Sequence, residues 1–124
     1  MSHIKQFENH QYMTIETFRK NGEGVKTPVW FAQDGKTLHV WTETASGKAK
    51  RIRNNGSVRI TPSTASGEPL GEWITALATM NDSDDRVNYT ETLFKKKYGL
   101  LFRILSRLNK WRGGKYTSIE ILLN

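Results

Sequence analysis

An Asp-Gly pair between two apolar runs constrains this chain more than any other feature. Val25 to Gln33 is rich in Val, Trp and Phe, and Thr37 to Thr42 sets Leu38, Val40 and Thr42 against His39 and Trp41. That period of two marks half-buried strands. Asp34-Gly35 between them predicts a tight hairpin, because the turn needs φ > 0 and glycine supplies it without steric cost. Next comes Ala45-Ser46-Gly47-Lys48, with Ser46 placed to cap a helix running through Lys50, Arg51, Ile52 and Arg53 to Asn55-Gly56. Free backbone N–H groups at that helix start, with lysines beside them, form an anion site. The spacing lacks the full phosphate-loop pattern, so an ordinary capped surface helix explains the same residues about equally well. If the site is used, the expected anion is the phosphate of a bound cofactor.

The remaining chain extends this into a meander. Residues 1–11 are polar and read as a loosely attached arm, and Tyr12 to Lys20 reads as a strand closed by the turn 21–24. Ser57 to Thr64 is a further strand in which Pro62 suggests an edge or a bulge, since proline cannot donate to a ladder. Glu72 to Met80 is another, with Trp73, Thr75, Leu77 and Thr79 on one face. The acids around 81–85 predict a helix entry, and that helix runs to Tyr98 before Gly99 interrupts it. From Leu100 to Trp111 a second helix sets Leu101, Ile104, Leu105, Leu108 and Trp111 against Arg103, Arg107 and Lys110. Tyr116 to Leu123 closes the chain as a strand. About six strands with no regular strand–helix alternation point to a mainly β, six-stranded antiparallel barrel with helical additions.

At 124 residues the chain suits one domain, 1–124, whose core needs no staples. It has no cysteine, which excludes disulfides, thiol catalysis and Cys-ligated zinc. No apolar run reaches the roughly 20 residues of a membrane span, and the first residues lack the apolar stretch of a signal peptide. A soluble cytoplasmic protein is therefore expected. The formal net charge of +7 is concentrated: five Lys/Arg and no acid lie between Glu43 and Glu68, and eight and no acid between Glu91 and Glu120. Such blocks suit nucleic acid, an acidic membrane surface or a polyanionic small molecule, and charge alone does not choose among them.

Trp30 and Trp41, on neighbouring strands of the predicted hairpin, can flank a flat ring, although core packing explains each indole taken singly. His3, His10 and His39 show no metal-ligand spacing, so no metal site is expected. No Ser–His–Asp constellation or carboxylate pair stands out; if the chain is an enzyme, a cofactor carries the hard chemistry. Residues 100–112 read either as a basic membrane-surface helix or, preferably, as a helix packed on the barrel with a solvated basic side.

The string from Thr27 to Ile60, together with KKKYGLLFRIL at 95–105, resembles the FMN-binding split β-barrel family that includes pyridoxamine 5′-phosphate oxidase. It is most similar to the small branch of deazaflavin (F420)-dependent oxidoreductases. The resemblance spans about 12–123. It implies a homodimer with the cofactor at the subunit interface and Lys26, Thr27, Pro28, Val29 and Trp30 along its ring. Trp41 and Thr42 would line the same cleft, and Ser46, Gly47 and Lys48, supported by Lys50, would hold the phosphate. Gly47 stands where the oxidase commonly has Arg, and Gly56 where it commonly has Pro, which points away from pyridoxamine phosphate as substrate. The implied reaction is hydride transfer between the bound cofactor, F420 ahead of FMN, and a small organic molecule. Two alternatives remain open: a basic nucleic-acid-binding barrel, disfavoured because few aromatics lie beside the basic blocks, and a non-catalytic flavin- or haem-binding relative.

Overall fold

The computed structural model describes residues 3–111 and 113–123; Met1, Ser2, Arg112 and Asn124, which include ends of the expected arm and basic helix, lie outside the described residues. A 3-10 helix (His3–Phe7) precedes β1 (Tyr12–Phe18), β2 (Gly24–Trp30), β3 (Ala32–Asp34), β4 (Thr37–Glu43), α1 (Gly47–Asn54), β5 (Ser57–Ser63) and β6 (Ile74–Asn81). Then come α2 (Asp84–Tyr98), α3 (Leu100–Trp111) and β7 (Tyr116–Leu123). The strands form one seven-stranded antiparallel sheet in the order β2-β1-β5-β6-β7-β4-β3.

That order forces closure. β2 and β3 are separated only by Phe31 yet occupy opposite edges of the sheet. The chain holds Trp30 and Ala32 within about 7 Å of each other, whereas a flat sheet of this width would set its outer strands about 29 Å apart. The sheet must therefore curl until its edges approach, which makes it a split barrel. The expected count of six strands becomes seven for the same reason. Val25 to Gln33 is one run by periodicity, but at Phe31 it changes partner, from β1 (Trp30 opposite Tyr12) to β4 (Ala32 opposite His39).

The hairpin at Asp34-Gly35 is present, with Asp34 opposite Thr37 and Gly35 at φ +59°. Pro28 sits in β2, an edge strand. Pro62 sits in β5, an interior strand, but beyond the end of its ladder with β6, which stops at Ile60 opposite Ile74. Inside the barrel Met13, Ile15, Leu38, Val40, Ile60, Ile119 and Ile121 are all buried. On β6 it is Ala76 and Ala78 that face inward, while the predicted face of Thr75, Leu77 and Thr79 is the exposed outer one. α2 covers the outer face of β4 and β7: Thr90 Oγ1 lies 3.3 Å from His39 Nδ1 and 2.7 Å from Ser118 Oγ. This is why polar residues on the nominally outward side of those strands are buried.

The N-terminal arm is not loosely attached where it is described. Ile4 and Phe7 are buried, Phe7 packs edge-on against Phe31 at 5.8 Å, and Gln6 exchanges two hydrogen bonds with the Glu72 backbone. An i, i+3 apolar pair is the period of a 3-10 turn, so a single turn suffices to seat both side chains. α1 is capped by the Ser46 hydroxyl, which accepts from Ala49 N–H at 3.2 Å. Its C-cap, Asn55, is extended and not left-handed. Gly56 serves close approach instead, because a Cβ there would lie 2.6 Å from the Ala78 carbonyl oxygen.

Candidate functional site

The C-terminal end of β4 feeds directly into the start of α1, and this junction builds one end of a cavity of about 390 Å³. Trp41, Thr42, Glu43, Ser46 and Lys48 line it from the junction, Trp30 from β2 and Tyr116 from β7. Thr42 Oγ1 lies 3.4 Å from Ser46 Oγ, and Ser46 N–H donates to the Glu43 carbonyl at 3.0 Å, which fixes the turn. The opposite wall comes from the helices: Phe94 of α2, and Phe102, Leu105 and Asn109 of α3.

The two indoles are held rigidly. Trp41 lies flat on Tyr116 (4.0 Å, 5°), meets Phe102 edge-on (5.1 Å, 76°) and donates its Nε1–H to Glu91 at 3.2 Å. Trp30 lies flat on Tyr98 (4.2 Å, 10°). The Tyr98 hydroxyl accepts from Phe31 N–H at 3.0 Å and reaches the Gln11 carbonyl at 2.6 Å. Burial raises the Tyr98 pKa well above the usual phenol range, so it stays a neutral donor. The strands bearing the two indoles are not hairpin partners, but both side chains reach the same cavity.

At the α1 end, burial pushes the Lys48 ammonium below its ordinary range; Arg51 adds to this and Glu43 opposes it. A partly dewatered cation gains more from an incoming anion than one in bulk water, because the local dielectric is lower. Arg51 lies across the helix start. A Cβ on Gly47 would sit 2.8 Å from Arg51 Nη1, so glycine at 47 makes room for that guanidinium. Arg51 Nε donates to Thr17 Oγ1 at 2.6 Å, and the guanidinium does not line the cavity.

Of the predicted site residues, Trp30, Trp41, Thr42, Ser46 and Lys48 meet at the cavity, with Gly47 at the adjoining helix start. Lys26, Thr27, Pro28 and Val29 run away from it along β2: Lys26 and Pro28 are exposed, Thr27 is half-buried, and Val29 belongs to the barrel core. Lys26 Nζ sits 5.2 Å over the Trp73 ring. Lys50 is exposed and does not line the cavity. The residues that sequence reading left out, Phe94, Phe102, Leu105, Asn109 and Tyr116, come from elements distant in sequence. Lys48, with the Ser46 hydroxyl and the Glu43 carboxylate, lies at one end and stacked aromatic walls run along the side, an arrangement that suits a polar head joined to a flat apolar ring. Among the described residues no group of three His, Cys, Asp or Glu is arranged to hold a metal.

No protein-family model matches the chain, and no curated protein matches its sequence. Solved structures do match its fold. The haem storage protein HutZ from Vibrio cholerae superposes with a TM-score of 0.73 at 15% identity, over 98% of this chain and 87% of that one. A pyridoxamine 5′-phosphate oxidase-like protein from Listeria innocua gives 0.65 at 17% identity, covering 98% and 90%. An F420 reductase gives 0.65 at 16% identity, covering 100% and 94%. The chain therefore has the split β-barrel fold of the pyridoxamine 5′-phosphate oxidase-like proteins, an F420 reductase among them.

Proposed function

We propose that this chain binds a flavin-type cofactor, the deazaflavin F420 ahead of FMN, and acts as an oxidoreductase on a small organic molecule. The carrying observation is the junction of β4 and α1, where Lys48 and Ser46 open into the same cavity as the Trp41–Tyr116 stack. In this reading Lys48 holds the anionic end of the cofactor, and the Ser46 turn presents the first N–H groups of α1 to it. The aromatic wall keeps the ring flat, Glu91 fixes the Trp41 indole, and Phe102 and Leu105 exclude water. When bound, a flavin or deazaflavin supplies a ring that takes up or gives a hydride. The protein's part is to hold and orient the reactants.

The remaining resemblance-derived roles, Lys26, Thr27 and Pro28 at the ring and Lys50 at the phosphate, need a second copy of the chain or a long ligand, since these residues lie outside the cavity of one chain. A homodimer is therefore part of the proposal. F420 is placed ahead of FMN because the two basic blocks, five Lys/Arg between Glu43 and Glu68 and eight between Glu91 and Glu120, exceed what a single phosphate needs. The fold likeness to HutZ supports a second reading, haem binding without turnover. Against that reading, His39 is 1% exposed beneath α2, and among the described residues no histidine lines the cavity. A nucleic-acid role is disfavoured because few aromatics lie beside the basic blocks.

Calorimetric titration with F420, FMN and haem, at low and high salt, tests the order. The expected result is tightest binding for F420, weakening as salt screens its acidic tail. FMN binding in the absence of F420 binding would reverse the choice of cofactor, and haem binding alone would remove the oxidoreductase reading.

A further inference from the structure

The apolar stripe of α3 is the surface that the fold itself leaves unsatisfied. Leu100 is 73% exposed, Ile104 49%, Leu108 53% and Trp111 87%, and Leu101 and Leu105 are also exposed. At a helical 100° per residue these positions form one continuous arc. The helix packs through the opposite arc, where Phe102 and Ser106 are buried. A single exposed leucine is ordinary; a run of large apolar side chains along one short helix marks a contact surface.

A second feature lies along the margin of this stripe. Arg103 and Arg107 of α3, together with Lys95 of α2, line a groove of about 410 Å³. Among the described residues none of these three cations has an ion-pair partner. The sequence of α3 contains no acid, and Lys110 extends its positive charge.

We propose that α3 docks this protein onto an anionic lipid surface, its apolar stripe entering the head-group boundary while Lys95, Arg103 and Arg107 meet the lipid phosphates. The helix has 12 residues, about 18 Å of length, and among the described residues no helix is long and apolar enough to cross a membrane. An apolar arc bounded by cations suits a helix lying in the plane of the interface. Arginine and lysine stems reach past the apolar margin and keep their charged heads at the phosphates, and Trp111 is of the type enriched at that depth.

Charge selects lipid over a second copy. Two chains joined through this stripe about a two-fold axis would set Arg103 and Arg107 against their own images, with no acid on either helix to offset them. An anionic lipid surface presents the opposite charge to every one of these cations. Leu105 belongs both to the stripe and to the cavity lining, so the docked face adjoins the cavity. The proposal stands on α3 and does not depend on which cofactor is bound.

The test is flotation of the full chain with vesicles of phosphatidylcholine alone and of phosphatidylcholine mixed with phosphatidylglycerol. The protein is expected to float with the mixed vesicles only. Ile104→Ser/Leu108→Ser, which removes apolar area from the interface, and Arg103→Gln/Arg107→Gln, which removes two cations from it, should each reduce the bound fraction by roughly tenfold or more. Both pairs are on the helix surface, and circular dichroism checks that the variants fold. Failure of the wild type to float, or equal flotation of wild type and variants, overturns the proposal. Light scattering without vesicles supplies the other decisive outcome. If Ile104→Ser/Leu108→Ser turns a dimer into a monomer, the stripe belongs to a second copy and the proposal fails.

Discussion

Lys48 differs from the other cations of its block in what it is free to do. Arg51 Nε donates to Thr17 Oγ1 at 2.6 Å, Arg53 donates to the Thr44 carbonyl at 2.9 Å, and Arg59 pairs with Glu16 at 3.0 Å. Lys48 alone of that block lines the cavity. Lys48→Ala is therefore expected to weaken cofactor binding by about 1.5–3 kcal/mol, the scale of a charge-assisted hydrogen bond. Unchanged affinity in a calorimetric titration would take Lys48 out of the site. His39 yields a second expectation of a different kind. Its pKa is lowered mainly by burial, with Glu120 and Asp34 opposing and Arg86 reinforcing, and its Nε2 has no hydrogen-bond partner. The folded chain thus keeps the ring neutral at a pH where the unfolded chain, titrating near 6.5, begins to take a proton. Stability is then level above about pH 6.5 and falls as pH drops below it, because the unfolded state binds more protons there. Melting temperatures between pH 5 and 8 for wild type and His39→Gln should show a shallower acid slope in the variant; identical slopes would assign the loss to other groups.

At the scale of elements, the junction between α2 and α3 sets the helical wall of the cavity. Ser83 caps α2 by accepting from Arg86 N–H, Asp84 and Asp85 sit in its first turn, and Lys95, Lys96 and Lys97 in its last. Each is favourable to the helix dipole. Gly99 ends the helix at φ +61° and ψ −132°, a conformation that other residues adopt only under strain, although nothing lies within 4 Å of where its Cβ would be. Gly99→Ala should therefore destabilise the fold by about 1–3 kcal/mol through backbone strain alone. Denaturant unfolding measures it, and a change below about 0.5 kcal/mol, the usual size for a surface substitution, would mean that the junction can relax. The same turn aims Phe102 at Trp41 and Phe94, so a relaxed junction would also loosen the cavity wall.

For the whole molecule the open question of assembly becomes a mass measurement. The apolar run from Val25 to Phe31 leaves little surface for pairing, since Val29 and Phe31 are buried within the chain. The exposed apolar surface on the sheet is instead Leu77 and Leu122, cross-strand neighbours on the outer face of β6 and β7. Light scattering at micromolar concentration is expected to give twice the 14.2 kDa chain mass, since covering such a face with a second copy is the common solution. A cofactor-loaded monomer would contradict the shared site.

Features encoded by neighbours in sequence are legible in the chain itself. The Asp34-Gly35 turn, the Ser46 cap, the helix from the acids after Met80 to Gly99 and the start of the next at Leu100 all rest on turn and cap chemistry acting within a few residues. The β4–α1 end of the candidate cavity is legible for the same reason. Tertiary structure alone decided the rest. Periodicity reports that Val25 to Gln33 is extended, but not that the strand changes partner at Phe31, because the alternation is the same on either side of the change. It likewise reports that α3 has an apolar arc, but not that packing uses Phe102 and Ser106 and leaves that arc outside. The aromatic wall from α2, α3 and β7, and the Arg51 guanidinium over Gly47, arise where distant segments meet. Such contacts depend on which surfaces the curled sheet brings together, and no local pattern in the chain carries that information.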